Sequence, residues 1–386
     1  MKICLINNLY KPYAKGGAER IVELQAEGLV KAGHEVFIIT TRPIFTNTQH
    51  PAPSTYYLSG LYYNLNKIPK ILRLPWHLVD MLDISNYFKI KSILKKEKPD
   101  MIITHNLKGL GYLIPGVIKY LKIKHIHVLH DIQLLHPSGL MLCGKEKKTD
   151  NFFAKIYANL CCWLFGSPDI IISPSKWLMK LHEEKNFFNQ SKKIILPNPA
   201  IILPENKGIK KINKTFRFLY AGQIEEHKGI SFLIKSFNAF CQNSKLKNFE
   251  LAIAGTGSKL EKVKHLAGSN KHIKFLGLKN NEEIKKIMEE SGCLIVPSLC
   301  YENSPTVIYE ATAAGLPVLT ARLGGITELV RELGGILFKA GNEGDLMRQM
   351  RWIMDNSEKL EKIQGESRKK IEKLSLDNYI KTLLSA

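Results

Sequence analysis

The fold is decided by residues 296–317, which read VPSLCYENSPTVIYEATAAGLP. The stretch opens at the end of an apolar run and passes through a short loop into a helical pattern. Ser304 is a good N-cap, and Pro305 suits the first helical position, where no amide hydrogen is needed. Gly315 is a natural residue for the end of the helix, and Pro317 terminates it. The stretch therefore predicts a buried strand, a loop and a capped helix, which is an α/β arrangement.

The start of this helix suits a ligand that carries both phosphate and hydroxyl groups. The amides of Thr306 and Val307 are predicted to point out of the helix N-terminus, where they favour oxyanions. Glu302 precedes that terminus, and Glu310 lies about a turn and a half inside the helix. Two glutamates at this spacing also occur by chance on solvated helix faces. Their place directly after a buried strand favours a functional pair, and a sugar nucleotide fits it.

The segment from Glu302 to Glu310 resembles the EX7E motif of retaining glycosyltransferases of family 4, which have the GT-B fold. In that family the first glutamate meets hydroxyls of the donor sugar, and the second meets the ribose. The resemblance implies a catalytic role for Glu302 and donor binding for Glu310. It implies donor binding also for the residues around the helix start: Asn303, Ser304, Thr306 and Val307.

A second motif follows a predicted strand at residues 216–221. Residues 222–229, GQIEEHKG, resemble the G-R-x4-K-G element of the family, whose Arg and Lys neutralise the leaving diphosphate. Lys228 matches the Lys, and we expect it to be catalytic because the departing nucleotide gains negative charge in the transition state. A solvated loop lysine is the alternative. Gln223 stands where Arg is commonest, so only weak hydrogen bonding to the donor is implied for it.

Three further parts of the chain resemble family elements that contact the donor. Gly255 and Thr256 belong to a Gly-rich turn that follows a predicted strand, and Leu276 lies at the exit of the next strand. Gly16-Gly17 matches a glycine pair near the diphosphate and the acceptor, although a tight turn alone would also explain it. The resemblance implies that Gly17 contacts the donor and Gly16 the acceptor.

Two histidines are placed at predicted strand ends in the first half of the chain. His130 and Asp131 follow a strand at residues 125–129, and the carboxyl ends of parallel strands face the crevice where ligands bind. Family members often carry a histidine at this point near the reacting carbon, which implies a catalytic His130. We expect acceptor contacts from Asp131 and from His105 and Asn106 at another strand end.

Strand-like and helix-like segments alternate along the chain, which indicates parallel sheets covered on both faces. The pattern restarts after residue 215, beyond a linker-like stretch rich in Pro, Asn and Lys that ends at Lys214. The resemblance implies the GT-B architecture, two Rossmann-like domains whose parallel sheets face a central cleft. We expect an acceptor-binding domain over residues 1–200 and a nucleotide-sugar-binding domain over 201–365. A basic helix from about Ser357 to Leu384 is predicted, with residues 366–386 crossing back to the first domain.

The formal net charge of +21 is high for a chain of 386 residues. Its densest basic stretch is Lys67–Lys98, where Lys and Arg73 alternate with Trp76, Phe88 and leucines. This mixture favours a surface that rests on anionic lipid headgroups. Nucleic-acid binding and a merely solvated lysine-rich face are the alternatives. Because no recognised nucleic-acid module is present, we expect an anionic membrane surface as a partner and no nucleic acid.

The sequence also bears on the cellular compartment. The first residues, Met1–Ile6, read as a buried strand and not as a secretory leader. No apolar run approaches the roughly 20 residues that a membrane span needs. Seven scattered cysteines indicate neither a disulfide framework nor a zinc site. We expect a cytoplasmic protein that is peripheral on the inner face of the cytoplasmic membrane.

Motifs of other enzyme classes are incomplete. Gly139–Lys145 matches a P-loop, but Glu146 replaces the Ser or Thr that would ligate magnesium. No complete GxGxxG follows the first strand, which argues against a dinucleotide oxidoreductase. No two aspartates are spaced two apart, so a DxD metal clamp is absent. We expect no metal and no cofactor, with the diphosphate of the substrate neutralised by Lys228, helix ends and amides.

Together these features predict a retaining glycosyltransferase. It would move a sugar from a nucleotide-sugar donor to a saccharide or lipid-linked saccharide acceptor in cell-surface polysaccharide or lipopolysaccharide synthesis. Another GT-B enzyme, an epimerase or a phosphorylase, is the first alternative, and an epimerase would convert the donor without an acceptor. A basic nucleic-acid-binding protein is the second, and its duplex affinity would fall steeply with salt.

Overall fold

The computed structural model describes residues 1–14, 16–43, 54–60, 69–202, 215–244 and 248–386, without the side chains of residues 70–74 and 357. The predicted linker at 204–214 and Lys67 of the basic stretch lie outside the described residues. The chain forms two compact units. The first contains Met1–Leu140, Lys147–Pro199 and Leu376–Ala386, and the second contains Met141–Glu146 and Ala200–Ser375.

The first unit is built on a seven-stranded parallel sheet in the order β3-β2-β1-β4-β5-β6-β7. The order runs outward in both directions from the β1–β4 pair, and ligands of α/β sheets bind at such a switch point beyond the carboxyl ends of the strands. The strands are β1 (Lys2–Ile6), β2 (Glu35–Pro43), β3 (Thr55–Gly60), β4 (Met101–Thr104), β5 (Lys124–Val128), β6 (Ile170–Ser173) and β7 (Lys192–Ile195). The helices are α1 (Gly17–Lys31), α2 (Lys70–Met81), α3 (Ile84–Glu97), α4 (Ile114–Tyr120), α5 (Phe152–Phe165) and α6 (Lys176–Glu183).

The second unit has a six-stranded parallel sheet in the order β10-β9-β8-β11-β12-β13. Its strands are β8 (Phe216–Ala221), β9 (Phe249–Ala254), β10 (Ile273–Gly277), β11 (Cys293–Val296), β12 (Val318–Ala321) and β13 (Ile336–Phe338). Its helices are α7 (Ile230–Asn243), α8 (Leu260–Ala267), α9 (Asn281–Glu289), α10 (Thr306–Ala313), α11 (Gly324–Leu333), α12 (Glu343–Asp355) and α13 (Ser357–Glu372). Apolar side chains fill both faces of this sheet. The predicted pair of parallel-sheet, Rossmann-like domains is confirmed.

The predicted single helix from Ser357 to Leu384 is wrong, because it is two helices. Between the two helices, Ser375 forms a parallel bridge with Ala200. The last helix, α14, spans Leu376–Leu384. The bridge uses backbone hydrogen-bonding groups that a continuous helix would need for its own hydrogen bonds. Helix α14 packs on α1, where Gln25 Nε2 donates to the hydroxyl of buried Tyr379 at 2.6 Å. The last helix is therefore part of the first unit.

Candidate active site

The turns that follow β8, β9 and β10 are joined by backbone hydrogen bonds. The amide of Gly222 donates to Ala254 O at 3.0 Å, and the amide of Gly255 donates to Gly277 O at 2.8 Å. Position 255 requires glycine, because its φ is +143° and a Cβ would lie 1.9 Å from Gly222 O. The predicted donor-binding residues of this region therefore lie along one edge of the second sheet: Gln223, Gly255, Thr256 and Leu276.

An ion pair joins the two residues of this unit that the sequence predicts to be catalytic. Lys228 Nζ lies 2.7 Å from Glu302 Oε2, and the two side chains are 29% and 13% exposed. The other carboxylate oxygen of Glu302 accepts a hydrogen bond from the Ser298 hydroxyl. Burial acts to lower the pKa of Lys228, but the charge of Glu302 and its hydrogen bond outweigh burial and raise that pKa above its usual value. Lys228 therefore keeps its positive charge at neutral pH.

Backbone contacts hold the two partners of the pair in place. Lys228 ends a short 3-10 turn, and Gly229 follows it with a φ of +75°. The amide of Leu299 donates to His227 O at 3.0 Å. A Cβ on Gly229 would lie 1.8 Å from Pro297 O. The turn that carries Lys228 thus packs backbone to backbone on the loop that carries Glu302.

Helix α10 begins one residue later than predicted, and Ser304 is not its N-cap. Pro305 takes that position with extended dihedrals, φ −63° and ψ 128°. The Ser304 hydroxyl instead lies 2.6 Å from the hydroxyl of Tyr309, a partner that local sequence does not reveal. The amides of Thr306 and Val307 lie in the first turn, where helix geometry supplies no carbonyl to accept them. Past the helix, Gly315 has a φ of +72°, in agreement with its predicted role at the helix end.

Residues Met141–Glu146 lie against the Glu302 loop, which the sequence analysis missed. Leu142 forms an antiparallel bridge with Cys300. The amide of Tyr301 donates to Met141 O at 2.8 Å, and its hydroxyl donates to Glu146 Oε1 at 3.0 Å. Glu146, which interrupts the P-loop pattern, therefore helps to hold the residue next to Glu302. The only sequence signal was the short apolar run that precedes Gly144.

The first unit brings its own predicted site residues together at the ends of β4 and β5. His105 Nδ1 lies 2.8 Å from His130 Nε2. These residues, with Asn106 and Asp131, line a small recess. His105 is fully buried, and its Nε2 has no hydrogen-bond partner among the described residues. Burial raises the pKa of Asp131 to about 6, although hydrogen bonds from Gln133 oppose the shift.

The glycine pair stands at the start of α1. Gly16 is the N-cap, with extended dihedrals, and Gly17 is the first helical residue; both are exposed. The exposed amides of this helix start are suited to an oxyanion. The predicted residues thus fall into two groups, each described within its own unit, and their individual roles in binding and catalysis stay predictions.

Two family models together match most of the chain. Residues 15–200 match the model described as Glycosyltransferase Family 4, and residues 204–370 match Glycosyl transferases group 1. The chain belongs to glycosyltransferase family 4. The predicted family, fold class and enzyme class are confirmed, since the protein is a glycosyltransferase with the GT-B fold.

Individual relatives of this family 4 protein are distant in sequence. An uncharacterized 42.6 kDa protein in the cps region of Klebsiella pneumoniae is 29% identical over 357 residues, which cover 88% of this chain and 90% of that protein. The UDP-Gal:alpha-D-GlcNAc-diphosphoundecaprenol alpha-1,3-galactosyltransferase of Escherichia coli is 22% identical over 299 residues, 71% of each chain. The crystal structure of Anabaena HepE in complex with UDP superimposes with a TM-score of 0.73 at 17% identity, over 100% of this chain and 99% of that chain. Such a structural likeness supports the shared fold.

Buried histidines in the first unit of the enzyme predict a pH-dependent stability. His182 is fully buried, and burial lowers its pKa to about 4. Between pH 6.5 and 4 the unfolded chain therefore binds a proton at this position that the folded chain does not, so acidification lowers the free energy of unfolding. We expect the wild type to lose about 2 kcal/mol more than a His182→Asn variant between pH 7 and pH 5. Urea unfolding of both proteins at the two pH values measures this difference.

The comparison with the variant is necessary because Asp80 titrates in the opposite sense. Burial raises the pKa of Asp80 to about 7, so its protonation stabilises the folded state on acidification. That contribution is the same in wild type and His182→Asn, and it cancels in the difference. Equal pH dependence of the two proteins would contradict the prediction.

Proposed function

We propose that this glycosyltransferase transfers a sugar with retention from a UDP-sugar to a lipid-linked saccharide during cell-surface polysaccharide or lipopolysaccharide synthesis. The Lys228–Glu302 ion pair, placed just before α10, is the observation that carries the proposal. The HepE structure was solved with UDP, and the name of the Escherichia coli relative specifies UDP-Gal and a diphosphoundecaprenol-linked acceptor. The cps location of the Klebsiella relative supports a role in polysaccharide synthesis.

In the proposed reaction, Lys228 stabilises the leaving diphosphate. An ammonium has three N–H donors, and Glu302 Oε2 takes one of them, so the others serve phosphate oxygens. The amides of Thr306 and Val307 add partial positive charge at the start of α10. The acceptor hydroxyl attacks the anomeric carbon from the face that the diphosphate leaves, and a phosphate oxygen takes the proton. Glu302 orients Lys228 and binds sugar hydroxyls, and it forms no covalent bond to the sugar.

The donor and the reaction class are tested together. Purified protein is screened with UDP-, GDP- and ADP-sugars for a rise in melting temperature, and the best donor is then incubated with a saccharide on a lipid diphosphate. We expect a UDP-sugar to stabilise most and the product to keep the anomeric configuration of the donor, as read by NMR. Inversion would reject the mechanism, and conversion of the donor without an acceptor would favour an epimerase.

We propose that transfer needs no metal ion, because Lys228 and the helix amides supply the positive charge that a bound cation would otherwise provide. The initial rate should stay within about twofold after dialysis against EDTA, and adding magnesium should not raise it. Release of nucleoside diphosphate under matched buffer conditions measures the rate. Loss of activity in EDTA that magnesium restores would contradict the proposal.

We also propose that the enzyme associates peripherally with the cytoplasmic face of a membrane. A lipid-linked acceptor lies in a bilayer, and the net charge of +21 favours anionic headgroups.

A further inference from the structure

Helix α5 presents a row of large apolar side chains to solvent. Phe152, Phe153, Ile156 and Trp163 are 72%, 70%, 50% and 76% exposed. Phe152, Ile156 and Trp163 are spaced by four and seven residues, so they share one side of the helix. The opposite side is also apolar, since Ala154, Tyr157, Ala158, Cys161, Leu164 and Phe165 are buried. A surface helix of a globular protein normally turns polar side chains outward, so the exposed row requires another explanation.

Two neighbouring helices also expose large aromatic side chains. Helix α4 contacts both α3 and α5. Tyr120 at the end of α4 is 63% exposed, and Phe88 on α3 is 61% exposed. Lys91 Nζ lies 4.0 Å from the centroid of the Tyr120 ring, which ties α3 to α4. We call Phe88, Tyr120, Phe152, Phe153, Ile156 and Trp163 the aromatic face.

The elements that carry the aromatic face are rich in lysine. Exposed lysines lie on all three helices and on the turn before α5: Lys89, Lys95, Lys96, Lys119, Lys147, Lys148 and Lys155. The acidic groups of the same elements already have partners. Glu97 pairs with Lys2, Asp150 with Lys185, and Asp83 caps α3. These elements therefore expose both aromatic rings and a net positive charge.

We propose that the aromatic face docks on an anionic lipid bilayer, with its rings at the boundary of headgroups and acyl chains and its lysines on lipid phosphates. This placement matches the physics of interfacial helices, in which aromatic and aliphatic groups enter the bilayer and lysines stay at the surface. A second copy of the chain is a poorer partner, because a symmetric contact would bring the same lysines together. No helix in the described ranges is both long and apolar enough to cross a bilayer. The inference rests on the proposed lipid-linked acceptor. It keeps α3 of the Lys67–Lys98 stretch in the membrane contact and adds α4 and α5 to it.

The test uses the full chain and vesicles of phosphatidylcholine with or without phosphatidylglycerol. We expect wild type to sediment with the anionic vesicles and a Phe152→Gln/Trp163→Gln variant to partition at least tenfold less. The matched control is Val30→Gln, since Val30 is 58% exposed on α1, a helix that packs on α14. A Lys147→Gln/Lys148→Gln variant should lose binding to the anionic vesicles in a salt-dependent manner.

Folding and activity are measured beside vesicle binding. Melting temperature verifies that each variant is folded, and hydrolysis of the donor without vesicles reports the site in the second unit. The docking proposal is overturned if wild type does not sediment with anionic vesicles, or if the Phe152→Gln/Trp163→Gln variant binds them as tightly as wild type does. It is also overturned if wild type is a dimer that this variant converts to a monomer. A protein that docks but has no activity toward any nucleotide sugar would refute the proposed function and leave the docking surface intact.

Discussion

Replacing Lys228 with Met should lower turnover by about a hundred- to a thousandfold while the protein stays folded, as expected when a stabiliser of developing negative charge is removed. The ammonium of Lys228 carries a positive charge, and Glu302 holds it in position through an Nζ–Oε2 contact of 2.7 Å. Glu302→Gln should also lower turnover, because its neutral amide orients Lys228 without the ionic attraction. Both rates are measured as nucleoside diphosphate release with the donor that best stabilises the protein.

The second unit offers a matched control for this experiment. Lys262 pairs with Glu226 at 2.8 Å, but both side chains are about half exposed. An exposed pair of this kind contributes little to stability, so Lys262→Met should leave both turnover and melting temperature nearly unchanged. Near-wild-type turnover of Lys228→Met and Glu302→Gln would remove both residues from the site. A loss of folding in either variant would be visible in the melt, and the Lys228→Met/Glu302→Gln double variant then separates the cost of an unpaired buried charge from the loss of catalysis.

Replacing Gly229 with Ala should destabilise the protein by more than about 4 kcal/mol, a loss that requires a specific cause in the structure. The new Cβ would lie 1.8 Å from Pro297 O and 2.7 Å from its carbonyl carbon. Both are backbone atoms, so no side chain can rotate away, and the φ of +75° is unfavourable for alanine as well. Relief would require the loop that carries Glu302 to move. Urea unfolding measures the loss of stability, and donor turnover reports the displacement.

Gly334→Ala separates the clash from the cost of the dihedral angles. Gly334 follows α11 with left-handed dihedrals like those of Gly229, φ +88° and ψ 19°, but a Cβ there meets only the side chains of Ser367 and Lys370, both at 3.5 Å. This variant should lose only the roughly 1–2 kcal/mol that a left-handed alanine costs. If Gly229→Ala were no less stable than Gly334→Ala, the tight contact between the Lys228 turn and Pro297 would be disproved.

Local sequence was sufficient where a strand is buried on both faces. The strand predicted at residues 216–221 is β8 at the same bounds, and the strand predicted at residues 125–129 is β5, Lys124–Val128. The edge strands β3, β7 and β13, which each pair on one side only, were missed, whereas the edge strand β10 was predicted. Strand β7 reads KKII and is largely exposed, so only hydrogen bonds to β6 identify it as a strand. Residue propensity and hydrophobic periodicity do not predict such pairing between segments that are distant in sequence.

The site shows the same division between local and distant information. The cap residue Gly315 and the motif around Lys228 were predictable, because glycine at a positive φ and charge after a strand are local features. The Ser304–Tyr309 contact, the His105–His130 contact and the pairing of Leu142 with Cys300 were not. Each depends on a side chain or segment that local sequence does not place, and the last joins residues 158 positions apart.

The pairing of Met141–Glu146 with the Glu302 loop constrains any exchange of halves between related enzymes. A chimaera joined only near residue 200 would combine one parent's Leu299–Tyr301 with the other parent's hexapeptide. The Tyr301 amide and the Leu299 carbonyl would still pair with backbone groups of the hexapeptide. The carboxylate of Glu146, which accepts from the Tyr301 hydroxyl, would be kept only if the other parent also has an acidic residue there. A chimaera should therefore keep the geometry of the Glu302 loop only when this hexapeptide comes from the same parent as Ala200–Ser375.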